Sequence, residues 1–274
     1  MINQSYLRLA AIPLALSLNL AIESNLPAMA KPQSTLLSQN FPTRPGLGIP
    51  RRRSRLFFKV PNVTGSGNQR SGFVRGKCSA NGESDIQIKA VLPKMNKGLG
   101  LTVAKNPTVF FHLPAHSIPT AKFTVENEMG DEIFTRTLSL NGAHGIISIS
   151  IPDEVPPLEV GKTYKWNFQL ICTEDGDNGA NLGIEGEIKR EAPNPLVANQ
   201  LKTASQRDRV PIYALNSWWY DSLKTLADLR RANPNDATLV GDWVDILSQD
   251  NVGLADIARE PIVQLNLNNS NPTP

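Results

Sequence analysis

Tyr164, Trp166, Phe168, Leu170 and Cys172 occupy every second position of one stretch, with Lys165, Asn167 and Gln169 between them. A period of two places the first set on one side of an extended chain and the polar set on the other. Such a strand is stable only if a second layer covers its apolar side, so the segment predicts a sheet with a core on one face. The pattern recurs along the chain. Ile86, Ile88 and Ala90 alternate with polar residues, and Thr108–Leu113 is a short apolar run. Phe123 and Val125 alternate with Lys122, Thr124 and Glu126; after the turn signal Met129-Gly130-Asp131, residues 132–140 repeat the pattern, which predicts a hairpin. Ile147, Ile149 and Ile151 form a further strand ended by Pro152, and Ile184, Gly186 and Ile188 form the last. About seven short strands separated by turn signals predict an antiparallel, immunoglobulin-like β-sandwich over residues 78–195.

Beyond Pro195 the period becomes helical. Trp219, Leu223, Leu226 and Leu229 recur at spacings of four and three, with Arg230 and Arg231 in the last turn and Pro234 beyond it. Leu239, Trp243, Ile246 and Leu247 mark a second helix with Asp236 as its N-cap, and Leu254, Ile257 and Ala258 suggest a short third. Residues 196–267 therefore read as a small helical module, and the Asn-rich tail at 268–274 as frayed. The fold class is mainly β followed by this helical part.

The first thirty residues read as a secretory leader: Arg8 precedes an apolar run from Leu9 to Ile22, and Ala28-Met29-Ala30 supplies a small-x-small cleavage signal. The run is short and broken by Pro13 and Asn19, and no later segment is long enough to span a bilayer. The expected location is therefore the periplasm or the outside of the cell, with mature protein from Lys31 onward.

Charge is segregated. Residues 31–77 hold ten basic residues and no acid, including Arg51, Arg52, Arg53 and Arg55. From Cys78 to Pro195 ten basic residues face fifteen acidic ones, a net of −5, and beyond Pro195 seven face nine, a net of −2. The overall +3 thus conceals a cationic arm on an acidic body. The arm is rich in Pro, Gly, Ser and Asn and reads as largely disordered, with Leu56-Phe57-Phe58 as a cluster suited to docking on a folded neighbour.

Cys78 and Cys172 are the only cysteines. In an oxidising compartment they form a natural pair. A bridge between them closes a loop of about 94 residues, and loops of that size are stabilised by up to ~4.7 kcal/mol in chain-entropy terms.

Two stretches carry a family resemblance. Tyr164-x-Trp166-x-Phe168 with Cys172, followed by Gly186-x-Ile188-x-Arg190, resembles the strand pair of a secreted cyanobacterial family, domain of unknown function 928. Tyr213-Ala214, Trp218-Trp219-Tyr220-Asp221-x-Leu223 and Leu226-x-x-Leu229-Arg230 resemble its helical signature. Arg75-Gly76-Lys77-Cys78 resembles the start of the same domain, and Pro107 through Pro114 its next strand, so the likeness extends over residues 70–260. It implies no activity, ligand or catalytic residue. The helical part also resembles a single tetratricopeptide-type hairpin, one unit where a solenoid needs about three.

Candidate chemistry is sparse. His112 and His116 are four apart, but Pro114 forbids the helix that would align them. With His144 they suit a strand-and-loop metal site less well than turn and surface positions. Asp175-Gly176-Asp177-Asn178-Gly179 resembles the start of a calcium loop, but the twelfth position is Gly186 rather than glutamate, and the segment suits a turn between strands. No nucleophile elbow, zinc-protease signature or phosphate-binding glycine loop is present in the sequence. Glu185 and Glu187 share one side of a strand about 7 Å apart, which reads as a solvated pair before it reads as chemistry. No metal or cofactor is expected.

The functional expectation is a non-enzymatic envelope protein binding another protein or an anionic surface polymer. Arg51, Arg52, Arg53 and Arg55 are the candidate contacts for an acidic polysaccharide or envelope protein, against the alternative that the arm folds onto its own acidic body. Trp218 and Asp221 are candidate protein contacts, against core packing of Trp218, Trp219 and Tyr220. Export makes nucleic acid a poor partner. The competing expectation is a periplasmic enzyme or accessory subunit acting on cell-wall or exopolysaccharide material.

Overall fold

The alternation that begins at Tyr164 becomes a strand, Thr163–Ile171, in which Tyr164, Trp166, Phe168 and Leu170 are buried. It belongs to a computed structural model that describes residues 55–65, 86–172 and 182–265. All of these lie in one unit, Arg52–Pro274. In chain order the strands are β1 (Lys89–Ala90), β2 (Leu99–Thr102), β3 (Thr108–Leu113), β4 (Thr120–Glu126), β5 (Glu132–Ser139), β6 (Gly145–Ser150), β7 (Thr163–Ile171) and β8 (Leu182–Arg190). Four helices follow, α1 (Pro195–Thr203), α2 (Gln206–Leu215), α3 (Trp219–Ala232) and α4 (Ala237–Leu247), and then β9 (Ile262–Gln264). The described chain is mainly β.

Two sheets form, one ordered β1-β3-β6-β9 and the other β2-β8-β7-β4-β5. The expected purely antiparallel arrangement is corrected here, because β2 runs parallel to β8 and β9 parallel to β6, so both sheets are mixed. Parallel neighbours need a long crossover. The chain supplies one by passing through β3–β7 between β2 and β8, and through the helices between β6 and β9. Both added strands are short, four and three residues, and neither is long enough to show a period. In β2 all four residues are buried, which removes the alternation a sequence reader looks for.

The β4–β5 hairpin follows its turn signal. Asn127 Oδ1 accepts from the backbone N–H of Met129 at 2.9 Å and of Asp131 at 3.0 Å, and Gly130 takes the left-handed φ of +87°. A bulge between Val125 and Glu126 twists the start of this pairing.

The core joins sheets and helices in one cluster of buried residues. Phe111 on β3 stacks on Phe168 of β7 with ring centroids 4.0 Å apart. Its neighbour Phe110 points the other way and meets Trp243 of α4 edge-on at 6.3 Å. β3 is therefore covered on both faces, the reason Thr108–Leu113 is a continuous apolar run rather than an alternating one.

Helix α3 buries Trp219, Leu223, Leu226 and Ala227 on one face, and α4 buries Leu239, Trp243, Ile246 and Leu247. Asp236 caps α4 through Oδ1, which accepts from Thr238 N–H and Leu239 N–H at 2.8 and 3.3 Å. The short third helix expected around Leu254–Ala258 is a series of turns instead. Gly253, at φ +75°, reverses the chain there, and Leu254, Ile257 and Ala258 are buried without helical geometry. Helices α1 and α2 have capping residues, Asn194 before Pro195 and Ser205 before Asp208, but no strong apolar face: α1 has no fully buried residue, and α2 carries Pro211 in its interior. The Leu56–Phe58 cluster does dock. Phe58 is fully buried against Trp219, ring centroids 4.7 Å apart, its N–H donates to Gln249 Oε1 at 3.1 Å, and Lys59 N–H donates to the Ala214 carbonyl at 3.0 Å.

Candidate functional site: the polar face of the five-stranded sheet

The face of β7 opposite its aromatic row carries Lys165, Asn167 and Gln169, and the register places the polar positions of β4 and β8 beside them. Thr124 lies opposite Asn167, and Asn167 opposite Glu185. One step along, Lys122, Gln169 and Gly183 form a row; in the other direction Glu126, Lys165 and Glu187 do. Rows of this kind follow from strand alternation carried across three paired strands about 4.8 Å apart. Of these residues, Lys122, Thr124, Glu126, Asn167, Gln169, Gly183 and Glu185 join Glu132 of β5 in lining a groove of about 280 Å³, and Lys165 and Glu187 lie outside it. Gly183, with no side chain, leaves one corner of the grid empty.

The groove mixes donors with acceptors. Asn167 Nδ2 donates to Glu126 Oε1 at 3.2 Å, Lys122 Nζ lies 3.6 Å from Glu132 Oε1, and the hydroxyls of Thr124 and Thr135 are 3.2 Å apart. Glu185 is half-buried, and burial, aided by the nearby Glu187 and Glu126 carboxylates, raises its carboxyl above the ordinary range while Lys165 opposes the shift. Among the described residues no side chain or backbone N–H donates to the Glu185 carboxylate. A carboxylate in that state accepts hydrogen bonds from whatever enters the groove.

Asp221 is perturbed more strongly, but inside the fold. It lies in the first turn of α3, its Oδ2 accepts from Val103 N–H at 3.0 Å, and burial pushes its carboxyl up to about 6. Trp218 is likewise internal, with Nε1 donating to Glu191 Oε2 at 3.2 Å. At 8 % and 4 % exposure, Asp221 and Trp218 present little surface to a partner, and both are packed where α3 meets β2 and its following loop.

Of the basic candidates, Arg55 is exposed, while Arg51, Arg52 and Arg53 lie outside the described residues, as do Cys78 and the Asp175–Gly179 acidic turn. Cys172 follows the end of β7 and is half-buried against the core. The histidines are separate. His112 sits on β3 opposite Lys89. His116 Nδ1 accepts from Ile118 N–H at 3.1 Å, which leaves Nε2 as the N–H that donates to the Ala143 carbonyl at 3.1 Å. His144 is exposed and bonds the Gly142 carbonyl. Among the described residues no three His, Cys, Asp or Glu side chains are grouped to hold a metal, and no helix is long and apolar enough to cross a membrane.

The sequence singled out Glu185 and Glu187 as a pair on one strand; the structure keeps them on one face of β8 and adds Glu126, Asn167, Gln169 and Lys122 from neighbouring strands around Glu185. The signal that reveals them is the polar half of three alternating segments read together, once their register is known.

A family model matches residues 66–262, well over half of the chain. The chain belongs to that family, described as Domain of Unknown Function (DUF928). The DUF928 region takes in β1–β8, all four helices and the whole groove, and ends at the first residue of β9. No curated protein matches the chain. Among solved structures, the fn3 domain of human collagen alpha-1(XX) chain is similar over 44 % of this chain and 94 % of that one, at 14 % identity and a TM-score of 0.25. At that score the likeness carries no argument about the DUF928 fold.

Proposed function

We propose that this chain is an exported, non-enzymatic binding protein of the cell envelope. Its partner, another envelope protein or a surface polymer, is held at the groove on the polar face of β4, β7 and β8. The observation that carries this reading is Glu185, a half-buried carboxyl raised above its ordinary range and without a donor among the described residues, on the floor of a polar groove. Export rests on the leader at residues 1–30. The two sheets are proposed to form an immunoglobulin-like β-sandwich with the helices as a module beside it, supported by the Phe111–Phe168 stack between them. Cys78 and Cys172 are proposed to be bridged, supported by the absence of free cysteines among the described residues. With its carboxylates, the groove is a poor seat for an acidic polysaccharide. In this reading the anionic partner falls to Arg51, Arg52, Arg53 and Arg55, and the groove takes a different ligand.

The test is capture of the tagged exported protein, wild type and Asn167→Ala/Glu185→Ala, from native envelopes at low and high salt. Retention of a defined component by wild type and its loss in the variant supports the reading; equal recovery by both overturns it. The rival, an enzyme acting on cell-wall or exopolysaccharide material, has one observation in its favour, Glu126 and Glu185 in the same groove. Turnover of such material by wild type, abolished by Glu185→Gln, would favour that rival.

A further inference from the structure

The groove's lining restricts what fits it. Glu126, Glu132 and Glu185 repel an anion; Lys122 already pairs with Glu132 and the Asn167 amide with Glu126, and among the described residues no three acidic, His or Cys side chains are grouped to hold a metal ion. What remains is a neutral ligand able to donate and accept at several closely spaced points. The amides of Asn167 and Gln169 and the hydroxyl of Thr124 offer both roles, Lys122 only donates, and the glutamates accept. The aromatic residues of β7 all face the core, so recognition here proceeds through hydrogen bonds and not ring stacking. We infer that the groove binds a short neutral glycan, its vicinal hydroxyls bracketed by Glu185, Asn167 and Gln169 across β7 and β8. The volume of about 280 Å³ suits a small segment of such a chain and not a folded partner. Because each contact is a hydrogen bond to an uncharged group, binding will change little with salt, unlike attachment through the arginine cluster. Glu185, raised by burial, remains the strongest acceptor while ionised, so affinity declines as it protonates on acidification.

The inference rests on the groove being the binding surface, and the experiment separates the two claims. Full-length exported protein is titrated calorimetrically with three probe sets: neutral oligosaccharides of two to four sugars, sulfated or uronic-acid oligosaccharides, and Lys/Arg-rich peptides. Binding of a neutral oligosaccharide at 50 and 500 mM salt within twofold, weakened at least tenfold in Asn167→Ala/Glu185→Ala and in Gln169→Trp, is the expected result. The variants face outward, and unchanged circular dichroism and melting temperature verify that they fold. Binding of only the acidic oligosaccharides or only the basic peptides, binding indifferent to the variants, or no binding overturns the glycan inference. If envelope capture remains sensitive to the variants in those cases, the groove is still the binding surface; if capture is insensitive too, both readings fail.

Discussion

Trp166 Nε1 donates to Tyr220 Oη at 2.9 Å, and the same hydroxyl donates to the Glu187 carbonyl at 2.9 Å. One phenol from the first turn of α3 thereby satisfies a buried indole on β7 and ties the helix to β8. Burial raises the Tyr220 pKa far above its ordinary value, so the hydroxyl stays protonated at any physiological pH and keeps donating.

Tyr220→Phe removes that hydroxyl while keeping the ring, leaving Trp166 Nε1–H without an acceptor in a fully buried site. The expected loss is about 1–3 kcal/mol of unfolding free energy, read from urea denaturation monitored by tryptophan fluorescence. A midpoint equal to wild type would contradict it.

Gly100 exists to admit the same tyrosine. A Cβ there falls 2.4 Å from Tyr220 Cε2, and one on Gly186 falls 2.5 Å from Trp166 Cζ2. Both neighbours are packed rings that cannot give way cheaply. Gly100→Ala and Gly186→Ala should each destabilise by about 1–3 kcal/mol. Thermal melts of both, set beside Met129→Ala at a side chain 83 % exposed, provide the comparison.

Phe58 anchors the segment that precedes the strands. It is fully buried against Trp219. Phe58→Ala is expected to cost about 3–5 kcal/mol. Phe57→Ala, at a side chain 56 % exposed, should cost little. Chemical denaturation of the two adjacent variants tests whether the segment is part of the folded unit.

Asp221 makes stability depend on pH in an unusual direction. Its carboxyl rises from an ordinary 3.8 to about 6 in the folded chain, so between those values the native state holds a proton that the unfolded state has released. Stability from this group is complete below the unfolded value and is lost as pH rises through about 6. At ~1.4 kcal/mol per unit, the effect is about 3 kcal/mol across the window. Asp221→Asn, which cannot titrate, should abolish that portion of the slope. Urea midpoints of wild type and variant at pH 4.5 and 7.5 supply the difference; parallel pH dependences would contradict the assignment.

The bridge proposed between Cys78 and Cys172 has a chemical test. The exported protein, unfolded without reductant, should take up no iodoacetamide, and should take up two equivalents after reduction. Labelling before reduction would refute the pairing.

How much of this was legible in advance depends on segment length and on how many faces are covered. β7 and β8 were readable because one face is wet and the other dry over nine residues each. The β4–β5 hairpin was readable because Asn127 and Gly130 write its turn chemistry locally. α3 and α4 were readable because each buries one face, α4 with a local Asp236 cap. β2 and β9 were not, since four and three residues hold no period and their partners lie far along the chain. The apolar triad at Leu254–Ala258 misled because spacing suggests a helix, while Gly253 and tertiary burial fold the same residues into turns. The groove stayed hidden because its side chains are polar and each strand contributes at most three residues, indistinguishable from solvated surface until registers align them.

The sequence by itself determined the strands that alternate, the helices that bury one face, and the segregation of charge along the chain. Those depend on local periodicity and composition, which the backbone reads within a few residues. Tertiary structure alone decided the parallel additions to each sheet, the interior placement of Trp218 and Asp221, and the meeting of Lys122, Glu126, Asn167 and Glu185 in one groove. Each of these is a juxtaposition across distant segments, fixed by strand register and core packing, and none is encoded in any single stretch of residues.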